Sequence, residues 1–333
     1  MKSFYPWHTK QWQQLQHIAE INRLSHALLF SGREGLGVEQ LAFSLAAQAL
    51  CEGASVDACG ECRGCKLFLA RSHPDFKMIS PADQGRSIVV DQVREVNQFY
   101  TLKSHYAQAK VVMIYPANAM NRASSNAILK ILEEPPDGAL VLLVTHRFSA
   151  ISMTIRSRCV RVPCEQIDSD VALSWLGNEL PELDENALNR VFSLSGGTPL
   201  GARELANNGG SDVEIAMVAA FKRIAESGTH VLTESKNFSD LPLSELQRHM
   251  NSLILRLILA KFGLSTHHKR TEPKIDDNLQ GLVDHLNLRT LYALLDLIVE
   301  SKTLSSRQSG LRETDLAETL WLGLSDCAHT GPN

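Results

Sequence analysis

At 333 residues with 44% hydrophobic and 21% charged content, the chain has ample apolar material for a core and none of the composition of a disordered protein. Roughly 100–200 residues per domain implies two or three domains. A net charge of −4 argues against a free-standing nucleic-acid binder, and no apolar run approaches the roughly 20 residues of a membrane helix. The start Met1-Lys2-Ser3-Phe4-Tyr5-Pro6-Trp7 has no apolar stretch of the kind a signal peptide needs, so a cytoplasmic location away from membranes is expected.

Residues 10–22 carry apolar side chains at helical spacing (Trp12, Leu15, Ile18). Ala27 to Phe30 reads as a short buried strand. The glycine-rich turn Ser31 to Glu39 follows, and then a helical pattern through Leu41, Leu45 and Ala49. This is the order of a phosphate-binding loop, and Gly32 and Gly37 have the spacing of G-x-x-x-x-G-K-[ST]. The next two positions are Val38 and Glu39. The first removes the ammonium that reaches the β/γ-phosphates, and the second puts a carboxylate where a hydroxyl would hold Mg²⁺.

Four cysteines then fall within fifteen residues, as Cys51, Cys59, Cys62 and Cys65. C-x7-C-x2-C-x2-C suits four thiolates closed around a structural Zn²⁺. An iron–sulfur cluster of the bacterial ferredoxin type expects a Cys-Pro after Cys65, where Leu69-Ala70 stand, so zinc is the preferred reading. Cys159, Cys164 and Cys327 are dispersed and read as small buried residues.

Strands are expected at Phe76–Ser80 and Ile88–Val90, with Asp91 capping a helix that presents Val93, Val96 and Phe99. Lys110 to Tyr115 is a buried strand. A helix follows through Ala127, Ile128 and Ile131 and stops at Pro135-Pro136. Ala139–Thr145 and Val160–Val162 complete five or so strands with helices between them, hence a parallel sheet covered on both faces. In a P-loop ATPase the strand at 111–114 would end in carboxylates that hold the metal and polarise water. Here it ends in Tyr115-Pro116. Two elements of one active site are thus altered together, and no tight Mg-ATP site is expected.

From Gln166 the pattern is helical, with Asn207-Asn208-Gly209-Gly210-Ser211 as the best linker. The divisions are 1–165 for the α/β domain with its zinc insert at 51–65, 166–207 for a small helical lid, and 208–333 for a larger helical domain. In Ser157-Arg158-Cys159, the arginine reads either as a solvated surface charge or as an arginine finger. The tripeptide alone is compatible with both.

Taken together these residues resemble the clamp-loader branch of the AAA+ ATPases, and within it the delta-prime type of bacterial DNA polymerase III subunit. The resemblance is carried by Tyr5-Pro6-Trp7, His26-Ala27-Leu28-Leu29, the four-cysteine insert with Cys62-Arg63-Gly64-Cys65, and His73-Pro74-Asp75. It continues through Asn126 to Lys130, Leu132-Glu133-Glu134-Pro135-Pro136 and Ser157-Arg158-Cys159. It implies an AAA+ domain, a lid and an all-α collar in a subunit that hydrolyses no ATP. Val38, Glu39, Tyr115 and Pro116 place the chain with the non-hydrolysing type. Thr145 matches the first-sensor position, and Leu200, close to Arg203, stands where the second-sensor arginine would be.

The implied partners are the gamma/tau ATPase subunits, the delta subunit, the sliding clamp and primer-template DNA. Arg158 would reach a neighbour's ATP site. Lys103, Lys110, Arg122 and Lys130 are candidate phosphate contacts, each read first as part of a solvated charged face. Two competing readings are an autonomous AAA+ ATPase and a zinc-bearing protein adapter.

Overall fold

A computed structural model describes residues 4–21, 23–53, 57–83, 86–101, 109–227, 231–263, 277–306 and 312–329. Lys103 lies outside these residues, as does the side chain of Cys327. The chain divides into two compact units, Met1–Asn178 with Thr198–Gly201, and Glu179–Gly197 with Ala202–Asn333. Among the described residues, no helix is long and apolar enough to cross a membrane.

The first unit is built on the strands β1 (Ala27–Ser31), β2 (Phe76–Ile79), β3 (Lys110–Ile114), β4 (Ala139–Thr145) and β5 (Val160–Pro163). They form one parallel sheet, as the alternation of strands and helices predicts, in the order β2-β3-β4-β1-β5. Side chains alternate across each strand and feed two cores. Leu28, Phe30, Val111, Met113, Leu140, Leu142 and Val144 point to one face, against Leu41 and Leu45 of α2 (Val38–Ala49) and Phe68 of α3 (Arg63–Leu69). Trp12 and Leu15 of α1 (Thr9–Glu20) join the same core. Ala27, Leu29, Val112, Ile114, Val141 and Leu143 point to the other face. They meet Val93 and Val96 of α4 (Val90–Thr101), Ile128 and Ile131 of α5 (Arg122–Glu133), and Ile155 of α6 (Met153–Arg156). Helix α7 (Ser169–Glu179) follows β5.

Ile88–Val90 is not a strand. Ile88 makes a single bridge to Met120, and α4 begins at Val90, before the expected cap at Asp91. Lys110 departs from the expected charged surface, being 5% exposed. Its ammonium donates to the Phe99 carbonyl at 2.6 Å and lies 4.3 Å from the Phe99 ring centroid, so it is not a phosphate contact. Arg122 and Lys130 are exposed.

His8 ends the short turn Pro6–His8 and is fully buried, with neither ring nitrogen hydrogen-bonded among the described residues. Burial pushes its pKa down to about 4. The unfolded chain therefore takes up a proton below about 6.5, while the folded chain resists it until near 4. His8 stabilises the fold fully above pH 6.5, and this contribution disappears as pH falls towards 4. Lowering the pH from about 7 to about 5 is expected to cost the first unit about 2 kcal/mol. Urea unfolding at both pH values should show it, with a flatter dependence in His8→Gln.

The second unit is helical. Its helices are α8 (Glu185–Leu194), most of α9 (Pro199–Asn207), α10 (Gly210–Ser227), α11 (Val231–Lys236), α12 (Leu243–Lys261), α13 (Asp277–His285), α14 (Leu288–Ser306) and α15 (Glu313–His329). Asp184 caps α8 by accepting from the Ala187 amide at 2.7 Å. The expected linker at 207–211 shrinks to Asn208-Gly209, because Gly210 and Ser211 already belong to α10. Gly209 turns the chain with φ +65°. Trp321 of α15 anchors the core, with Phe221 and Phe238 at 6.0 and 5.1 Å between ring centroids. Arg223 holds Glu234 through two hydrogen bonds of 2.6 and 2.7 Å.

Candidate functional site

The glycine loop leaves the carboxyl end of β1, where a parallel sheet presents its ligand crevice. Its helix-facing end is closed by protein. Gly37, the residue before α2, has φ +67°, and a Cβ there would stand 2.2 Å from the Tyr5 ring. Leu200, at the start of α9, comes within 3.2 Å of the same point. Tyr5 stacks on Trp7 at 4.8 Å, Trp175 abuts both rings, and the Trp7 indole N–H donates to the Leu36 carbonyl at 2.9 Å. The Tyr5-Pro6-Trp7 start therefore straps the loop down. Leu36 and Val38 are wholly buried and serve the core.

Tyr115 and His146 occupy the ends of β3 and β4 beside this loop. The Tyr115 hydroxyl lies 3.0 Å from His146 Nε2, and His146 Nδ1 lies 3.2 Å from the Gly32 carbonyl oxygen. The carbonyl can only accept, so Nδ1 carries the proton and Nε2 accepts from the tyrosine. Thr145 donates to Asn118 Oδ1 at 2.9 Å, and Asn118 Oδ1 also accepts from the His146 amide at 3.3 Å. Glu39 Oε2 is buried without a hydrogen-bond partner among the described residues. Burial first, and then the carboxylates of Glu39 and Glu34, push the Tyr115 hydroxyl up to about 12. Beside this loop stand the Tyr115 phenol, the His146 imidazole and the acidic groups of Glu34 and Glu39. His146 and Asn118 escape sequence reasoning, since a lone histidine or asparagine near a strand end carries no signal.

The arginine sits elsewhere. Arg158 lies two residues before β5, and Val160 pairs with Leu28, at the amino half of β1. Gly32 is four residues further along that strand, so the loop and Arg158 occupy opposite rims, separated by about 13 Å or more along the sheet. Arg158 is about one-third exposed and pairs with Glu133 at 2.5 Å. Its Nη1 donates to the Thr154 carbonyl at 3.0 Å and to Ser157 Oγ at 3.3 Å. Ser157 donates in turn to the Thr154 carbonyl at 3.1 Å. Cys159 packs against the core beneath, and burial pushes its thiol up to about 11. Cys164 is also buried, its thiol pushed up to about 12 first by burial. Arg203 pairs with Glu179 at 2.8 Å.

The four cysteines converge, with all Sγ atoms within 4.8 Å of one another. Cys51–Cys62 and Cys59–Cys65 are 4.0 and 3.9 Å apart. Tetrahedral Zn–S bonds of about 2.3 Å require sulfurs about 3.8 Å apart, whereas a disulfide requires about 2.05 Å. The donors fit zinc. Backbone amides of Gly53 and Cys59 donate to Cys51 Sγ at 3.4 and 3.3 Å. The amides of Cys62 and Cys65 donate to Cys59 and Cys62 Sγ at 3.3 Å each. Such donors favour thiolate, and the amide of Cys62 leads in bringing the Cys59 thiol down to about 6. Cys51 follows Leu50, the residue that ends α2, and Cys62 caps α3. Gly64 lets α3 approach closely, since a Cβ there would lie 2.5 Å from the Leu50 carbonyl oxygen.

Comparison with known proteins agrees with this assembly of features. The family described as "DNA polymerase III, delta subunit" matches residues 7–168. DNA polymerase III subunit delta' of Pseudomonas aeruginosa is 38% identical over 246 residues, covering 73% of this chain and 74% of that protein. Its counterparts from Haemophilus influenzae and Escherichia coli are 32% and 34% identical, with 63% and 59% of their lengths matched. The chain belongs to the DNA polymerase III delta' subunit family.

Proposed function

We propose that this chain is the non-hydrolysing delta-prime subunit of a clamp loader, the stator of an assembly that closes a sliding clamp on primer-template DNA. The observation that carries this reading is the separation of two rims. The glycine loop is filled by its own Tyr115 and His146, while Arg158 stands ordered and partly exposed on the opposite edge. An arginine so placed cannot serve its own loop and suits a neighbour's ATP. Ser157 and Cys159 hold the arginine's turn, one by hydrogen bonds and the other by packing.

Under this reading residues 1–165 are the AAA+ domain, 166–207 the lid and 208–333 the collar that joins the gamma/tau and delta subunits. Zinc at Cys51, Cys59, Cys62 and Cys65 is structural: it staples an insert too short to build a core. The protein acts in the cytoplasm and carries no ATP of its own.

Co-expression with gamma/tau and delta tests the reading. One complex containing this chain is expected on size exclusion, and DNA-stimulated ATP hydrolysis should fall when the chain is omitted. The isolated chain is expected to show no turnover above background. Turnover by the isolated chain that Gly37→Asp abolishes would overturn the proposal.

A further inference from the structure

We infer that Glu133 is a positioning residue that aims Arg158 at the anion it serves, an inference that rests on the function proposed above. Glu133 is the last residue of α5, where the helix dipole disfavours a carboxylate. The guanidinium of Arg158 compensates it at 2.5 Å. Arg158 has five N–H donors in a planar fork. Its Nη1 is taken by the Thr154 carbonyl and Ser157 Oγ, and Nη2 is ion-paired with Glu133. The end of the guanidinium is therefore fixed by protein. What remains is the side edge, Nε–H with an Nη2–H, from which no hydrogen bond is donated among the described residues.

Two parallel N–H groups at that edge match two oxygens of a phosphoryl group. Glu133 and the Thr154 carbonyl thus do two things. They immobilise a long side chain before it meets its ligand, and they choose which edge it offers. Two exposed apolar residues lie close in the chain, Met153 at 72% and Val160 at 51% exposure. A neighbouring chain seated there would exclude water from the arginine–phosphate contact.

The test is ATP hydrolysis by the loader assembled with gamma/tau and delta, carrying variants of this chain. Glu133→Ala should lower kcat at the facing site about ten-fold with KM unchanged, because misaligning a preorganised donor costs rate rather than ground-state binding. Glu133→Gln keeps the acceptor oxygen and should recover most of the loss. Glu134→Ala alters the same helix end without touching Arg158 and should match wild type. The double variant Glu133→Ala/Arg158→Ala should be no slower than Arg158→Ala alone. An unchanged or faster Glu133→Ala, or a double variant slower than Arg158→Ala, overturns the positioning role. Wild-type turnover in Arg158→Ala would instead overturn the function on which it rests.

Discussion

Replacing Arg158 with alanine is expected to slow hydrolysis about 10³-fold at the one ATP site it faces, within a loader that still assembles. The magnitude follows from the chemistry of phosphoryl transfer, in which charge accumulates on the transferring group and a fixed guanidinium offsets it in a site closed to water. Assembly should survive because the side chain is partly solvent-exposed and its pairing with Glu133 is a surface ion pair, worth at most about 1 kcal/mol. Lysine should restore little, since it has the charge without the planar fork. Single-turnover measurements resolve the effect: one site per assembly should fall silent while the remaining sites keep their rate. A loader with Arg158→Ala that hydrolyses every bound ATP at the wild-type rate would return this arginine to the status of an ordinary surface charge.

Removing the metal should have the second large effect. Elemental analysis of protein purified without chelators is expected to give about one zinc per chain. Structural zinc sites bind with about 10–16 kcal/mol in small peptides, and that binding energy is folding energy for the segment it closes. Without it, Cys51–Cys65 loses the tie among its four thiolates, which holds Cys62 at the start of α3. Phe68 would then leave its cluster with Phe43 and Phe76, at 6.0 and 4.8 Å between centroids. Loss of such an aromatic costs about 3 kcal/mol. Chelation or Cys65→Ser should therefore open the insert to protease and lower the urea midpoint of the first unit, while the sheet remains folded. Iron in place of zinc, or metal-free protein with the same midpoint, would remove the assignment.

Much of this was written in the chain. The strands β1, β3 and β4 are unbroken apolar runs because both their faces are covered, and the loop announced itself by its two glycines between strand and helix. The cysteine spacing pointed to four candidate ligands, and the fold brings their sulfurs together. What escaped was decided by tertiary contact. Ile88-Val89-Val90 is β-branched and reads as a strand, yet only Ile88 finds a bridge partner, and the chain turns helical at Val90. Asn207 to Ser211 has the composition of a linker, but propensity yields where a helix can bury a face, and α10 starts at Gly210. The short helices α3 and α11, seven and six residues long, hold too little periodicity to be seen. Lys110 looked like surface charge because composition cannot reveal that its ammonium would find the Phe99 carbonyl. The pairing of Arg158 with Glu133 joins residues from two motifs, and neither motif points to the other.

The opposed rims of the sheet have a consequence for stoichiometry. A subunit with a nucleotide loop on one edge and an arginine on the other makes head-to-tail contacts, and copies of such a subunit can in principle add without end. In this chain Arg158 stands partly exposed on one edge, and Tyr115 and His146 close on the Gly32 carbonyl at the other. Under the proposed function it can begin a row of ATPases but cannot be inserted within one without leaving a dead joint. On that reading the polarity of a single sheet would set both its copy number, one, and its address, the terminus.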